Sequence, residues 1–493
     1  MITYYAGHSS SPAFGEEETM SMDEEFKPGD VYAKPAEDIT YEPYRLDYTQ
    51  PEWKDSRRLH KRAPLRDFGT ERHRDKEVYI SRELAEEEWE RLFAKTWHFV
   101  GHLNDIHKEN RFKKVEIGHE SILVVRGKGD AVHAFYNVCQ HRGATLVEAD
   151  FGSARKLVCP FHKWEFSMKG DLKKIVDRET FREKALCHDL NIPKVRAEVW
   201  RGFIFINMDL DAMPLSEWIG PGLDALLHAY DFEKSVRVRE VVMEWPVNWK
   251  LAHQAFNEGY HVQATHPQFF PAVNAYHVQH DLYDNGHGRS IYNFMMPTPH
   301  LKEVPQDLAE EHKIFLREAG LTEANFPKTY AEVPMAIINA KKSRKNYAID
   351  YSKFSEGQLI DDWGAGFFPS TETFLHPEGW FIQHWRPHPS GDPLKCIYSA
   401  QVYAVPGVGE LPSFTGVAGR VNPDLDKQPG IVYLDSEDIE GLGPVISQDR
   451  EVTPRTGRGV RSRGFKGAVY SDQEIRIRYW FDEYYKYMRG HKP

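Results

Sequence analysis

After Ser81 the chain sets Leu84, Trp89, Leu92 and Phe93 along an apolar side, with Glu83 and Glu86 early and Arg91 and Lys95 late. That order suits the helix dipole, and Ser81 offers an oxygen to the first unpaired N–H groups. A helix is therefore predicted from Ser81 to about Lys95. From 98 to 207 the pattern changes to short β-rich runs, among them Ser121–Arg126 and Gly202–Ile206, with Gly, Asp and Pro between them. Beyond 208 the character is mixed. A helix is predicted after Asn248, strands around Phe367 and from Ile397 to Val402, and a C-terminal helix opened by a capping box from Ser471 to Glu474. The aromatic run of that last helix (Tyr479, Trp480, Phe481, Tyr484, Tyr485) reads as core packing.

The expected fold class is α+β. A small all-β domain with a leading helix is predicted over 76–207. A larger α+β domain, with an antiparallel sheet flanked by helices, is predicted over 208–493. Residues 1–75 stand apart, with acidic runs at Glu16–Glu18 and Asp23–Glu25 and then a polar, often basic stretch. This segment reads either as a solvated arm or as an arm that wraps a neighbouring subunit. Two glycine patterns, Gly220-Pro221-Gly222 and Gly457-Arg458-Gly459, mimic a dinucleotide loop. Neither follows a convincing strand, so both read as turns and no NAD site is expected in this chain.

Size and charge narrow the function. A chain of 493 residues exceeds one ordinary domain, and 41% hydrophobic with 28% charged residues is ordinary for a soluble enzyme. A net charge of -11 argues against a nucleic-acid partner, which needs a basic surface. The absence of any apolar run of about 18 residues argues against a membrane span. Four cysteines in so long a chain make no disulfide framework, so a reducing cytoplasm is expected.

The strongest chemical signal is Cys139-Gln140-His141 followed, after positions 142–158, by Cys159-Pro160-Phe161-His162. Two thiolates and two imidazoles suit a [2Fe–2S] cluster with cysteines on one iron and histidines on the other. Gly143 and Pro160 supply turn chemistry for two tight loops. A zinc site is the competing reading. The alternation Cys–His then Cys–His disfavours it, because a C2H2 finger groups its cysteines and its histidines separately.

A second constellation runs Glu258-Gly259-Tyr260-His261 and His266-Pro267. Glu258 and His261 are spaced to share a helix face, and Pro267 disfavours helix at His266, so the chain is expected to turn there and bring the two histidines together. Two histidines and a carboxylate on one side of an iron leave positions open for O₂ and substrate.

Both loops, with their flanks Arg142-Gly143-Ala144 and Lys163-Trp164, resemble the Rieske signature of ring-hydroxylating non-haem iron oxygenases. The segment from Glu258 to His266 resembles that family's mononuclear-iron motif, and the resemblance runs from about Val78 to the C-terminus. It implies cluster ligands Cys139, His141, Cys159 and His162, and iron ligands His261 and His266. It also implies that Glu258 is the acid linking a cluster histidine, His141 or His162 of a neighbouring subunit, to His261. The third iron ligand is expected in Tyr433–Ile439 at Asp438, with Asp435 and Glu437 as alternatives and Gln448 as a following glutamine. Lys163 departs from the family's usual glycine. The family further implies a terminal oxygenase, mono- or dioxygenase; no clustered arginine pair near the iron motif announces a charged substrate, so a hydrophobic aromatic or alicyclic compound is expected. Its expected partners are O₂, an NAD(P)H-dependent reductase, with or without a ferredoxin, and two further copies in a homotrimer, with or without a small β subunit. The rival is a Rieske electron carrier without oxygenase activity. Phe256, Met295, Met296, Phe367, Phe368 and Trp380 are pocket candidates, although core packing is the commoner role for each. Cys187 and Cys396 read as ordinary buried thiols.

Overall fold

The N-terminal helix begins where its cap allows. Ser81 Oγ accepts the Leu84 N–H at 3.1 Å and opens the helix Arg82–Glu88, which continues as a wider turn over Trp89–Phe93. The computed structural model describes residues 73–298, 300–301, 303, 307–345, 347–411 and 419–492, so the expected arm over 1–75 lies almost wholly outside the described residues.

The β-rich stretch forms a seven-stranded sheet. Its strand order is His98–His102, Phe203–Asn207, Lys194–Trp200, Val132–Tyr136, Glu120–Arg126, Arg111–Ile117, Phe151–Ser153. A three-stranded sheet of Leu157–Val158, Glu165–Phe166 and Leu172–Lys174 carries the second Cys–His loop. The continuous apolar run Ile122-Leu123-Val124-Val125 is explained by burial on both faces. Ile122 and Val124 enter a large core, while Leu123 and Val125 enter a smaller one containing Cys139, Cys159 and Trp164. Gly118 turns the hairpin between Arg111–Ile117 and Glu120–Arg126 at φ +55°. A Cβ there would lie 2.3 Å from the Trp89 ring, so only glycine fits.

The second sheet has eight strands in the order Val273–Leu282, Gly288–Phe294, Asp362–Phe367, Thr371–His376, Gly379–Pro387, Cys396–Ala404, Val236–Trp245, Ile431–Tyr433. Each pairing is antiparallel until the last, where Ile431–Tyr433 runs parallel to Val236–Trp245. The sheet is therefore mixed rather than wholly antiparallel. The helix Ile475–Met488 buries Trp480, Phe481 and Tyr484 in the large core, as its aromatic pattern predicts. Only half of its capping box forms: Glu474 Oε2 accepts the Ser471 N–H at 2.7 Å, while Ser471 Oγ has no partner.

The two sheets are joined by buried charge as well as apolar packing. Glu240 binds Lys113 at 3.0 Å and also takes a close contact from Arg237, and Asp105 accepts the Tyr403 hydroxyl at 2.9 Å. Trp97, Phe99, Phe203 and Phe205 pack with Trp218 and Trp363, so core contacts cross the expected boundary at 207/208. The glycine patterns are not simple turns. Gly220 (φ +75°) breaks the helix Leu215–Leu226, and Gly457 and Gly459 lie inside the helix Pro444–Val460. Cys396 is buried, but Cys187 is exposed, because the segment Glu183–Leu186 before it lies on the surface.

Candidate functional site

The two Cys–His loops fold alike because they make the same backbone hydrogen bonds. The Cys139 N–H donates to Ala144 O (2.9 Å) and the Gly143 N–H returns to Cys139 O (3.0 Å). In the second loop the Cys159 N–H donates to Trp164 O (2.8 Å) and the Lys163 N–H returns to Cys159 O (3.0 Å). Gly143 and Lys163 therefore hold equivalent positions, and both take positive φ, +77° and +59°. The glycine that the family resemblance leads one to expect at position 163 has a conformational reason. Lys163→Gly is expected to raise stability by roughly 0.5–1 kcal/mol by removing left-handed strain. A shift in the denaturant midpoint with an unchanged cluster spectrum checks this.

Both cysteines are buried at 1% exposure. Backbone N–H groups of His141 and Arg142 face the Cys139 sulfur, and those of His162 and Phe161 face Cys159. At Cys139 burial outweighs these donors and pushes the thiol up, whereas at Cys159 burial is outweighed by the donors, which pull it down. His141 stacks on Trp164 with ring centroids 4.9 Å apart, and its Nδ1 lies 3.1 Å from Nδ1 of His162. Two sulfurs and two converging imidazole nitrogens are the donor set of a Rieske cluster, so the residues fit that group.

The second constellation is assembled differently from its expected form. Asn248 Oδ1 caps the helix Trp249–Gln254 by accepting the Lys250 N–H at 2.9 Å. The helix tightens over Ala255–Asn257 and stops, leaving Glu258 extended at φ −151°. Glu258 and His261 are thus not neighbours on one helix. The Glu258 side chain folds forward instead: Oε2 accepts the His261 N–H (3.0 Å) and Oε1 lies 2.7 Å from His261 Nδ1. A Cβ on Gly259 would come within 2.9 Å of Ala275 O, so the turn passes the neighbouring strand too closely for a side chain. The short helix Val262–Thr265 ends at His266 (φ −124°, ψ 58°), where Pro267 was expected to stop it.

The third member of the cluster is Asp449, not Asp438. Asp449 Oδ1 lies 3.5 Å from His261 Nε2 and 3.2 Å from His266 Nε2. These three residues are able to converge on one metal ion. Asp438 is exposed and accepts only the Gly441 N–H (3.2 Å), in the turn before the helix Pro444–Val460; Asp435 and Glu437 are exposed too. The physical reason lies in that helix. It turns Val445, Ile446 and Asp449 inward on one face, carrying the acid to the histidines, whereas the Asp438 turn stays at the surface. The signal was present as an acid at i+4 from Val445 and i+3 from Ile446, a carboxylate on an apolar stripe. Gln448, next to it, places Oε1 2.7 Å from His266 Nδ1.

Both imidazoles therefore have Nδ1 engaged and Nε2 directed at Asp449, as ring orientation toward a metal requires. Asp449 Oδ2 is buried without a hydrogen-bond partner, a costly arrangement that a cation relieves. Burial works against charge on His261, but the Glu258 and Asp449 carboxylates outweigh it and hold the imidazole up at about 9. A positive charge suits this point, and two imidazoles with one carboxylate fit iron. Beside the cluster lies a cavity, partly open to solvent, lined by Glu258, His261, His266 and Asp449 together with aromatic and apolar residues. Of the expected pocket residues only Phe256 lines it. Met295 is core, Phe368 packs on Trp480 and Tyr487, and Phe367 and Trp380 line a separate cavity.

A Rieske [2Fe-2S] domain model matches residues 96–185, and a model described as ring hydroxylating alpha subunit (catalytic domain) matches 232–490. The carnitine monooxygenase oxygenase subunit of Acinetobacter baumannii is 30% identical over 214 residues, 43% of this chain and 57% of that protein. The biphenyl 2,3-dioxygenase subunit alpha of Rhodococcus jostii is 31% identical over 232 residues, 46% of this chain and 49% of that one. The chain thus spans about half the length of the curated relatives it matches. The quaternary ammonium Rieske monooxygenase CntA, solved with L-carnitine, shares the fold at TM-score 0.58 and 20% identity, covering 85% of this chain and 97% of that one. Naphthalene 1,2-dioxygenase with bound indole does so at TM-score 0.58 and 19% identity, covering 85% and 92%. The chain belongs to the ring-hydroxylating oxygenase alpha-subunit family and carries a Rieske [2Fe–2S] domain.

Proposed function

We propose that this chain is the terminal component of a Rieske non-haem iron oxygenase. It uses O₂ and electrons passed from NAD(P)H by a separate reductase, with or without a ferredoxin, to oxidise a small organic substrate. The observation that carries this reading is the convergence of His261, His266 and Asp449 beside a cavity, in the same chain as two Cys–His loops. An electron carrier has no use for that second cluster.

Cys139, His141, Cys159 and His162 would hold the [2Fe–2S] group, and His261, His266 and Asp449 a mononuclear Fe(II). When bound, these groups supply single-electron transfer and O₂ activation. The protein's own part is positional. Glu258 accepts from Nδ1 of His261 and Gln448 from Nδ1 of His266, which fixes each ring and its tautomer. The walls formed by Phe256, Val262, Phe269, Val273 and Phe294 offer an apolar surface that seats an apolar body, the feature that favours an aromatic or alicyclic framework.

The inter-subunit relay implied by the family resemblance is part of this proposal, as is a trimer with or without a second subunit. Supporting it, Phe161 at the cluster loop is 58% exposed and Tyr260 beside Glu258 is 47% exposed, so both ends are open to another chain. Among the described residues no helix is long and apolar enough to cross a membrane, and the cytoplasm is the proposed compartment. Protein purified without oxygen should contain about three irons and two acid-labile sulfides. With a reductase, NADH and O₂ it should oxidise a member of a substrate panel read by mass spectrometry. Two irons with no oxygen chemistry supports the carrier instead, and zinc without sulfide ends both readings.

A further inference from the structure

We propose that the cavity beside His261, His266 and Asp449 takes an organic cation, whose positive nitrogen rests on the carboxyl of Asp362. The proposal rests on the oxygenase reading, which makes that cavity the substrate site, and it names the class of substrate.

Asp362 opens the strand Asp362–Phe367 and pairs in register with Tyr292 of the adjacent strand. Both residues line the cavity. Asp362 is fully buried. Its Oδ1 accepts the Leu375 N–H at 3.1 Å, and its Oδ2 is buried with no hydrogen-bond partner. A polar group in this state is costly, and native proteins retain one where a missing partner completes it. Of the other two carboxylates of the wall, Glu258 is engaged by His261, and Asp449 faces both histidines, where the metal would complete its remaining oxygen. Asp362 is the acid left for a ligand.

The character of that ligand follows from the rest of the wall. The rings of Phe256, Phe269, Tyr292, Phe294 and Phe374 line the cavity, and aromatic faces attract cations. Among the described residues that line it, none is Lys or Arg, so no basic side chain is there to pair with an anionic head group. Burial, with the neighbouring Asp361 adding to it, pushes the Asp362 carboxyl well above the usual carboxylate range. A bare carboxylate is thus disfavoured in the empty cavity, and an entering cation supplies the opposite charge it lacks. An apolar hydrocarbon leaves Oδ2 as it was.

An ammonium that donates N–H and an onium that does not share this chemistry, and the probes separate them. Iron-loaded protein is titrated calorimetrically with phenyltrimethylammonium, with benzylammonium, and with tert-butylbenzene, which has the shape of the first but a carbon in place of its nitrogen. At least one cation is expected to bind about 10-fold or more tightly than tert-butylbenzene. The tighter cation identifies the onium or the ammonium class. In Asp362→Asn that preference should shrink to within about 3-fold while tert-butylbenzene binding is unchanged. Equal or weaker binding of both cations by the wild type, or no binding of any probe, overturns the proposal, as does a preference that survives Asp362→Asn. The wild-type comparison decides even if the variant is unstable. Binding needs no turnover, so a protein that holds both metal centres yet ignores the cations sinks this inference alone, and one without iron or sulfide sinks the oxygenase reading.

Discussion

Asp449→Ala is expected to strip the mononuclear iron and abolish oxygen consumption, while Asp438→Ala behaves as wild type. Asp449 Oδ1 lies 3.5 Å and 3.2 Å from the two histidine Nε2 atoms, so the substitution removes the carboxylate that faces both imidazoles. Loss of a partner behind a metal ligand already costs roughly 10–100-fold in affinity or activity, and loss of the ligand itself should exceed that. Asp438 makes one exposed hydrogen bond to Gly441, and its removal should stay within about 0.5 kcal/mol in stability. Metal analysis, with the low-temperature resonance of the reduced cluster as an internal control, reads both variants. The cluster signal should persist in each, because its four ligands belong to the other sheet system. Iron retained in Asp449→Ala and lost in Asp438→Ala would reverse the assignment.

Glu258→Ala should keep both metal centres and lose turnover. The carboxylate makes two contacts to one residue, to the His261 N–H and to its Nδ1. Alanine leaves the imidazole free to turn and removes the acid that the proposed relay passes through. A fall of roughly 10–100-fold in turnover is expected with iron content little changed. A purely structural role would lower stability and metal content together. The distinguishing measurement is single-turnover oxidation of the prereduced cluster, which should slow in Glu258→Ala and recover in part in Glu258→Asp, whose shorter side chain keeps the charge. Normal cluster oxidation in the alanine variant would remove Glu258 from the relay.

Residues close in sequence were legible and residues brought together by packing were not. The two Cys–His loops are closed by hydrogen bonds spanning a few residues, so their spacing suffices to identify them. The break at His266 was legible because Pro267 acts on its immediate neighbour. Placing Glu258 on a helix went wrong, because the backbone leaves the helix before it to pass Gly259 against Ala275, a contact with another strand. The parallel edge strand Ile431–Tyr433 was missed for a similar reason, since its direction depends on how the chain returns to Val236–Trp245.

By itself the sequence determined the kinds of donor atom, the two tight loops, the turn between the histidines and an α+β organisation, all properties of short backbone segments. Only the tertiary structure decided that Asp449 rather than Asp438 faces the histidines, that Gln448 supports His266 from 182 residues away, and that Asp362 enters the cavity. The physical reason is that these placements depend on which face the helix Pro444–Val460 buries and on the register of Asp362 against Tyr292. Both are set by packing across the whole domain rather than by neighbours in the chain.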